Sequence, residues 1–558
     1  MKRYTILSAI MLAASNLFAQ NDTIGAVIQV ENNYAPVVVK ATKMGFTPQI
    51  EIASDHAPLN LIFSQKGEPF KRFVSQRNVK DVLPTQEMCL PGYARLGYGT
   101  GNNLDLKAAY RFSFGKRDRL TLFASMDGYD TDIDYNDEEW RSRFYTTEIN
   151  ADYTHNFDNL TLGVEADIKN SVFNYMQPIF YANNLRMPET TDKQNCGSYA
   201  LLVKAASNTM GALSYKAYAG FTINNRKYSA SIAENIGETR LRAGGTVRYE
   251  LAHENLYNLG ANIDIDGFIH NSALKPEDGP GIHDRYSDYA LIRLNPFGNL
   301  RFGEWKGRLG IHADLVTANS PFLAVAPDIR IEGPLAQGIS LYAAATGGRK
   351  AASFETLDIL SPYWNYIPGV KQPATVYNLC DISAGVRTTI GALYTNIYAG
   401  FSYTIDDLMP TADAKTSILY TKFIQDNSRD IYIGIDAGYD FGGIVNVEGN
   451  IRYDRWGCSD NDDLLMYKPM LTAGIKARAR IIEGLYANVG YTFTGYTSGN
   501  DDLKIEDKSY LEARISYRLH KQLNLFLQGN NLLDCEYELY PGCLAQGANA
   551  MVGASINF

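Results

Sequence analysis

From about residue 92 to the last residue, apolar positions recur with a period of two, the spacing of side chains along one face of a β-strand. Three segments show it cleanly. Leu241, Ala243, Val247, Tyr249 and Leu251 alternate with Arg240, Arg242, Thr246, Arg248 and Glu250. Val445, Val447, Ile451 and Tyr453 alternate with Asn446, Glu448, Asn450, Arg452 and Asp454. Leu511, Ala513, Ile515, Tyr517 and Leu519 alternate with Glu512, Arg514, Ser516, Arg518 and His520. Each strand therefore has one apolar face and one charged face. Candidate strands begin near residues 92, 104, 120, 143, 160, 195, 212, 239, 256, 286, 305, 322, 339, 378, 392, 430, 445, 466, 485, 508, 523 and 547, which makes 22, an even number.

The connections alternate in length. Tight turns follow the even-numbered strands, among them Gly115 to Arg119, Asn156 to Asn159, Ser207 to Gly211, His253 to Asn255, Ile390-Gly391, Gly442-Gly443, Ile482 to Gly484 and His520 to Gln522. Longer stretches follow most odd-numbered strands, at 176 to 194, 226 to 238, 271 to 284, 350 to 376, 408 to 429, 496 to 507 and 534 to 546. This is the rhythm of a bacterial transmembrane antiparallel β-barrel with short periplasmic turns and long extracellular loops, and it places both termini in the periplasm. A large secreted all-β protein would also alternate apolar and polar positions; the unequal connections speak for the membrane. Closure follows from physics, because each backbone N–H or C=O left unpaired in lipid costs several kcal/mol and a sheet with free edges cannot persist there. Residues 92–558 shared among 22 strands give about 21 residues per strand and connection, against roughly 9 to 11 needed to span.

The chain ends agree. Lys2 and Arg3, an apolar run from Tyr4 to Leu12 and an exit at Leu17-Phe18-Ala19 form a secretory signal over residues 1–19, with cleavage expected after Ala19. No Cys near that point suggests a lipid anchor. At the other end Ala550, Val552, Ala554, Ile556 and Phe558 occupy every second position up to a terminal Phe, the pattern read by outer-membrane insertion machinery on its barrel clients. Composition adds 38 Tyr, a residue suited to membrane interfaces. The net charge of -9 argues against a nucleic-acid partner.

The stretch Leu525-Phe526-Leu527-Gln528-Gly529-Asn530-Asn531-Leu532-Leu533-Asp534, then Tyr537, Tyr540-Pro541-Gly542 and the closing strand, resembles the C-terminus of TonB-dependent receptors, energy-coupled importers of large or scarce nutrients, especially the type common in Bacteroides-like bacteria. That resemblance implies a 22-stranded barrel, an N-terminal plug inside it and a TonB-binding segment before the plug. Only residues 20–91 precede the first strand, which is short for a complete plug. Val37, Val38, Val39, Lys40, Ala41 and Thr42 resemble a TonB box; an extended β-prone arm would explain the same residues. The barrel opening Tyr93-Ala94-Arg95-Leu96-Gly97-Tyr98-Gly99 resembles that of plugless receptor-like barrels. A wide lumen must be filled somehow: by residues 20–91 as a reduced plug or partner-binding arm, by long loops such as 350 to 376, or by another protein.

Other constellations have plain structural roles beside their chemical ones. Asp130, Asp132, Asp134 and Asn136 have a spacing that offers oxygens to Ca²⁺, but a solvated acidic loop bridged to lipopolysaccharide accounts for them as well; Asp460, Asp462 and Asp463 read the same way. Cys535 and Cys543 flank Tyr540-Pro541-Gly542 and can bridge, with unpaired thiols as the alternative. The seven His form no metal spacing, and no phosphate loop, nucleophile elbow or zinc motif is present. No cofactor and no enzymatic activity are expected. Arg240, Arg242, Arg248, Glu448, Arg452, Asp454, Glu512, Arg514 and Arg518 fall on the polar face and are expected to line the lumen, with mixed signs that predict no ion preference. Two functions follow: passage of a solute across the outer membrane, or a structural subunit docking a periplasmic or lipoprotein partner.

Overall fold

The computed structural model describes residues 91–558, apart from 136–137, 176–192, 209–211, 228–235, 252, 254, 273–285, 319, 365–371, 413–420, 460–464, 497–504 and 542. Residues 1–90, including the expected signal and the TonB-box-like Val37 to Thr42, lie outside the described residues.

Strands follow one another along the chain: β1 (Gly92–Gly99), β2 (Leu104–Phe114), β3 (Asp118–Tyr135), β4 (Glu138–Asn156), β5 (Leu160–Phe173) and β6 (Gln194–Ser207). Next come β7 (Leu213–Lys227), β8 (Ile236–Glu250), β9 (Leu256–Ser272), β10 (Tyr289–Phe302), β11 (Trp305–Val316), β12 (Leu323–Ala336) and β13 (Ile339–Lys350). A helix, α1 (Phe354–Leu360), precedes β14 (Val376–Ile390), β15 (Leu393–Ala412), β16 (Thr421–Phe441), β17 (Val445–Cys458) and β18 (Pro469–Ile482). The series ends with β19 (Leu485–Tyr496), β20 (Lys508–Arg518), β21 (Leu523–Asn530), a small hairpin of β22 (Glu538–Tyr540) and β23 (Cys543–Leu544), and β24 (Asn549–Asn557).

Leaving the hairpin aside, 22 strands form one antiparallel sheet, and β1 pairs with both β2 and β24. The sheet has no free edge: it is a closed barrel of the outer-membrane type. Its seam is tight, since Gly92 N–H donates to Phe558 O at 2.7 Å and Phe558 N–H to Gly92 O at 2.9 Å. The Phe558 ring lies over Gly92, where a Cβ would sit 2.4 Å from it.

The sequence alternation becomes two faces. Leu241, Val247, Tyr249, Ile433, Ile451 and Ile515 stand exposed on the outside, an apolar band that suits lipid; their neighbours Arg240, Asp430, Arg452 and Arg514 turn inward. Close approach across the wall uses glycine in two reciprocal places, where a Cβ at Gly400 would lie 2.3 Å from the Tyr432 ring and one at Gly434 would lie 2.4 Å from the Tyr398 ring.

Strand ends depart from the sequence reading where hairpins outgrow the bilayer. β4 begins at 138 rather than 143 and β16 at 421 rather than 430, and the expected loop 408 to 429 is largely strand. β15 absorbs an extra residue in a bulge between Thr404 and Asp407, with Asp406 at φ 54. The alternation breaks there, which hid the continuation from a period-two reading. Asp130, Asp132 and Asp134 likewise belong to β3, not to a loop.

Candidate functional site

Among the described residues the connections at one end of the barrel are tight turns, whereas the other end carries residues 351–364 and 531–541 with 543–548. At that long-loop mouth a buried apolar cluster has formed. It joins Tyr129 and Ile133 of β3, Phe144 of β4, Phe173 of β5, Ile236 of β8, Leu408 of β15 and Tyr510 of β20 with Phe354, Leu357, Tyr363 and Trp364 of the first segment and Tyr537, Leu539, Tyr540 and Cys543 of the second. β4 and β15 are eleven strands apart either way round a ring of 22. A cluster containing both therefore crosses the mouth from wall to wall.

Segment 351–364 is built for that position. Ser353 caps α1, its Oγ accepting from Thr356 N–H at 3.3 Å, which supplies one of the acceptors that helix starts lack. Helical spacing then puts Phe354 and Leu357 on one buried face. The Phe354 ring meets Trp364 edge-on at 5.1 Å, and Tyr363 packs between Phe173 at 5.0 Å and Tyr540 at 5.7 Å.

Polar groups of the wall hold the same segment. Arg226 of β7 pairs with Asp358, donates from Nη2 to Pro362 O at 2.6 Å and Trp364 O at 3.1 Å, and lies over the Trp364 ring at 4.3 Å. The Trp364 Nε1–H donates to Asp358 at 2.6 Å. Glu238 of β8 accepts from Phe354 N–H at 3.1 Å and faces His270 Nε2 at 3.3 Å. Arg240 joins Asp266 at 2.8 Å and Glu355 at 2.9 Å. On the far side Thr421 N–H donates to Tyr363 O at 3.1 Å, and the Ser361 and Thr421 hydroxyls lie 2.6 Å apart. The segment thus spans from β7 and β8 to β16. Burial pushes the Asp358 carboxyl above its ordinary range, against the pull of Arg226 and of the Trp364 indole.

The second segment is braced by its own hydrogen bonds as well as by the cluster. Asn531 Nδ2 donates to Cys535 O at 3.0 Å and Gln546 O at 2.9 Å, and Ala548 N–H donates to Asp534 at 2.6 Å. Cys535 and Cys543, which the sequence left either bridged or unbridged, are not joined to each other here. Hairpin register explains why, since it sets Tyr540, not Cys535, opposite Cys543. Burial pushes the Cys543 thiol up to about 12.

The residues expected to line the lumen sit as follows. Arg248 lies 5.8 Å from the Phe297 ring, and Arg452 bridges Asp430 at 3.1 Å and Asp454 at 2.6 Å while covering Tyr432 at 4.2 Å. Arg514 covers Phe526 at 4.1 Å, and Glu512 faces Lys476 at 4.0 Å. Arg242, Glu448 and Arg518 alternate with the exposed Leu241, with Val447 and with the exposed Leu519. Of the nine, only Arg240 reaches the mouth segment. Asp130, weighed for Ca²⁺, is instead gripped by Arg141 at 2.9 Å and Arg143 at 2.7 Å. Among the described residues no group of three His, Cys, Asp or Glu side chains is placed to hold a metal ion. Sequence reading did not single out Arg226, Glu238, Asp358 or Trp364. The one local signal was Ser353 ahead of Glu355, a helix start.

No protein-family model matches the chain, and no curated protein matches it. Solved structures do. The Pseudomonas aeruginosa receptor FpvA, in complex with a heterologous ferric pyoverdine, is similar with a TM-score of 0.62 and 12% identity over 84% of this chain and 72% of that one. The ferric-catecholate import receptor Fiu of Escherichia coli K12 has a TM-score of 0.62 and 8% identity, covering 85% and 82%. A copper transporter, OprC, has a TM-score of 0.61 and 12% identity, covering 84% and 80%. At such identities the likeness is one of fold.

Proposed function

We infer that the protein is a receptor-type importer that takes up a solute through the outer membrane. The reading rests on one combination: a 22-stranded closed barrel like those of import receptors, whose long-loop mouth is crossed by its own segments. A porin that lets small solutes diffuse needs an open mouth. A receptor instead profits from a mouth that is shut between uptake events.

In this reading residues 1–19 are removed on export, the short turns and both chain ends face the periplasm, and the long-loop mouth faces outward among lipopolysaccharide. Residues 20–91 stay on the periplasmic side as a reduced plug or arm, as in the Bacteroides-type barrels that the sequence resembles. Val37 to Thr42 offer TonB a strand to add to. The chain works as a conduit and not as an enzyme.

Planar-bilayer conductance of the purified full-length protein and of a form lacking residues 20–91 tests this. A quiet full-length protein and large steps from the truncated form support uptake controlled from the periplasmic side. Equal conductance from both forms contradicts it. A periplasmic or lipoprotein partner recovered in fixed ratio under gentle extraction, with both forms silent, would shift the assignment to a structural subunit.

A further inference from the structure

Arg226 and Arg240 stand on the inward faces of adjacent strands. The register sets Thr222 opposite Arg240, Asn224 opposite Glu238 and Arg226 opposite Ile236, so Asn224 lies on the wall between the two guanidinium groups. The Asn224 side chain is more than nine-tenths buried, and its Nδ2 donor finds no acceptor among the described residues. A buried donor left unmatched is unfavourable; a visiting oxygen would relieve it. Two forked cations and an amide donor on neighbouring register positions of one wall are the equipment that recognises carboxylate or phosphate oxygens.

What meets those arginines now is acidic and belongs to the chain itself: Asp358 on Arg226 and Glu355 on Arg240. The surrounding charges are nearly balanced. Arg293 shares Asp266 with Arg240 at 2.5 Å, and Glu238 is held by His270 and the Phe354 N–H, with Asp288 3.7 Å beyond the imidazole. Three guanidinium groups thus face Glu238 and Asp266 on the wall, and Glu355 and Asp358 tip the sum negative when the segment is in place.

We propose that Glu355 and Asp358 are built-in stand-ins for a small multivalent oxyanion of the polycarboxylate kind, which binds at Arg226, Arg240 and Asn224 and thereby releases segment 351–364 from the mouth. This rests on the uptake reading, because only a mouth that opens has use for a displaceable segment.

Trp364 reports the event. It is one of four Trp in the chain and is fully buried against Arg226 and Phe354. Full-length protein in nanodiscs is titrated with citrate, with phosphate as the second probe and chloride at matched ionic strength as the control. The Trp364 signal is isolated by subtracting the Trp364→Phe spectrum. The expected result is a saturable red shift with citrate that chloride does not produce. Glu355→Gln, which removes the competitor on Arg240 and leaves the Asp358 pair in place, should lower the half-saturating citrate severalfold, and Arg226→Lys with Arg240→Lys should raise it at least as much. The proposal is overturned if neither citrate nor phosphate gives a saturable shift in the Glu355→Gln protein, in which Arg240 has lost its internal competitor while Asp358 still anchors Trp364. A saturable shift together with equal conductance of the full-length and truncated forms would keep the anion site and discard uptake.

Discussion

Replacing Phe354 by Ala isolates what packing contributes to closing the mouth. The ring is 1% exposed and touches Trp364 at 5.1 Å, His270 at 5.8 Å and Tyr286 at 6.5 Å between centroids. Truncating a ring buried to this degree costs about 3–5 kcal/mol. That loss cannot spread into the wall, because the strand ladders of the barrel hold without α1. It falls on the local equilibrium between the docked and released forms of segment 351–364, and at 1.4 kcal/mol per decade the docked form loses roughly a hundredfold at the low end of the range. Amide hydrogen exchange reads this directly. Leu357 N–H and Ser361 N–H donate within the segment to Ser353 O and Leu357 O, both at 2.9 Å, and exchange only when it opens. Their exchange should accelerate about a hundredfold or more in Phe354→Ala, while amides of the β13 and β14 ladder keep their wild-type rates. Unchanged exchange at Leu357 and Ser361 would refute the idea that packing holds the segment. Faster exchange around the whole barrel would refute its independence from the wall.

Three further outcomes are expected. Gly434→Val drives two methyl groups towards the Tyr398 ring, so the barrel should lose about 1–3 kcal/mol by overpacking and unfold at a lower temperature in a heat-modifiability gel. Cys543, with its thiol pushed up to about 12 by burial, should resist iodoacetamide at pH 8 in the folded protein and react after denaturation; rapid alkylation of the native protein would contradict the packing at the mouth. The Asp358 carboxyl is raised by burial, so the docked segment binds that proton more tightly than the released one. This contribution is full below the ordinary carboxylate range and lost as pH rises through the raised value. Trp364 emission should therefore shift to the red on going from pH 4 to pH 7, and Asp358→Asn should flatten the change.

The wall was legible in the sequence because it is made of short-range regularities. Alternation at Leu241 to Leu251 or Leu511 to Leu519 is decided by which face meets lipid, and a run of such segments separated by Gly-rich turns permits little besides a closed barrel. Irregularity marks where legibility stopped. The bulge at Asp406 shifts the phase of β15, so the strand beyond it looked like loop. The mouth was less legible still, because Arg226 and Asp358 are 132 residues apart in sequence and neither has a neighbour that announces the pair. Loop 350 to 376 was one of three candidates for filling the barrel, and the described part of it does cross the mouth. Nothing in its composition indicated which wall residues would receive it. The Cys535 and Cys543 spacing left a bridge and unbridged thiols both open because sequence separation alone cannot specify hairpin register.

Electron cryomicroscopy of the full-length protein in lipid nanodiscs shows whether this 22-stranded barrel crosses its long-loop mouth with its own chain. Density for residues 351–364 is expected to run across the mouth, with the Trp364 ring stacked on Arg226 and Tyr363 bonded to Thr421. A barrel of the same strand count with this segment outside the rim and an open mouth would contradict it.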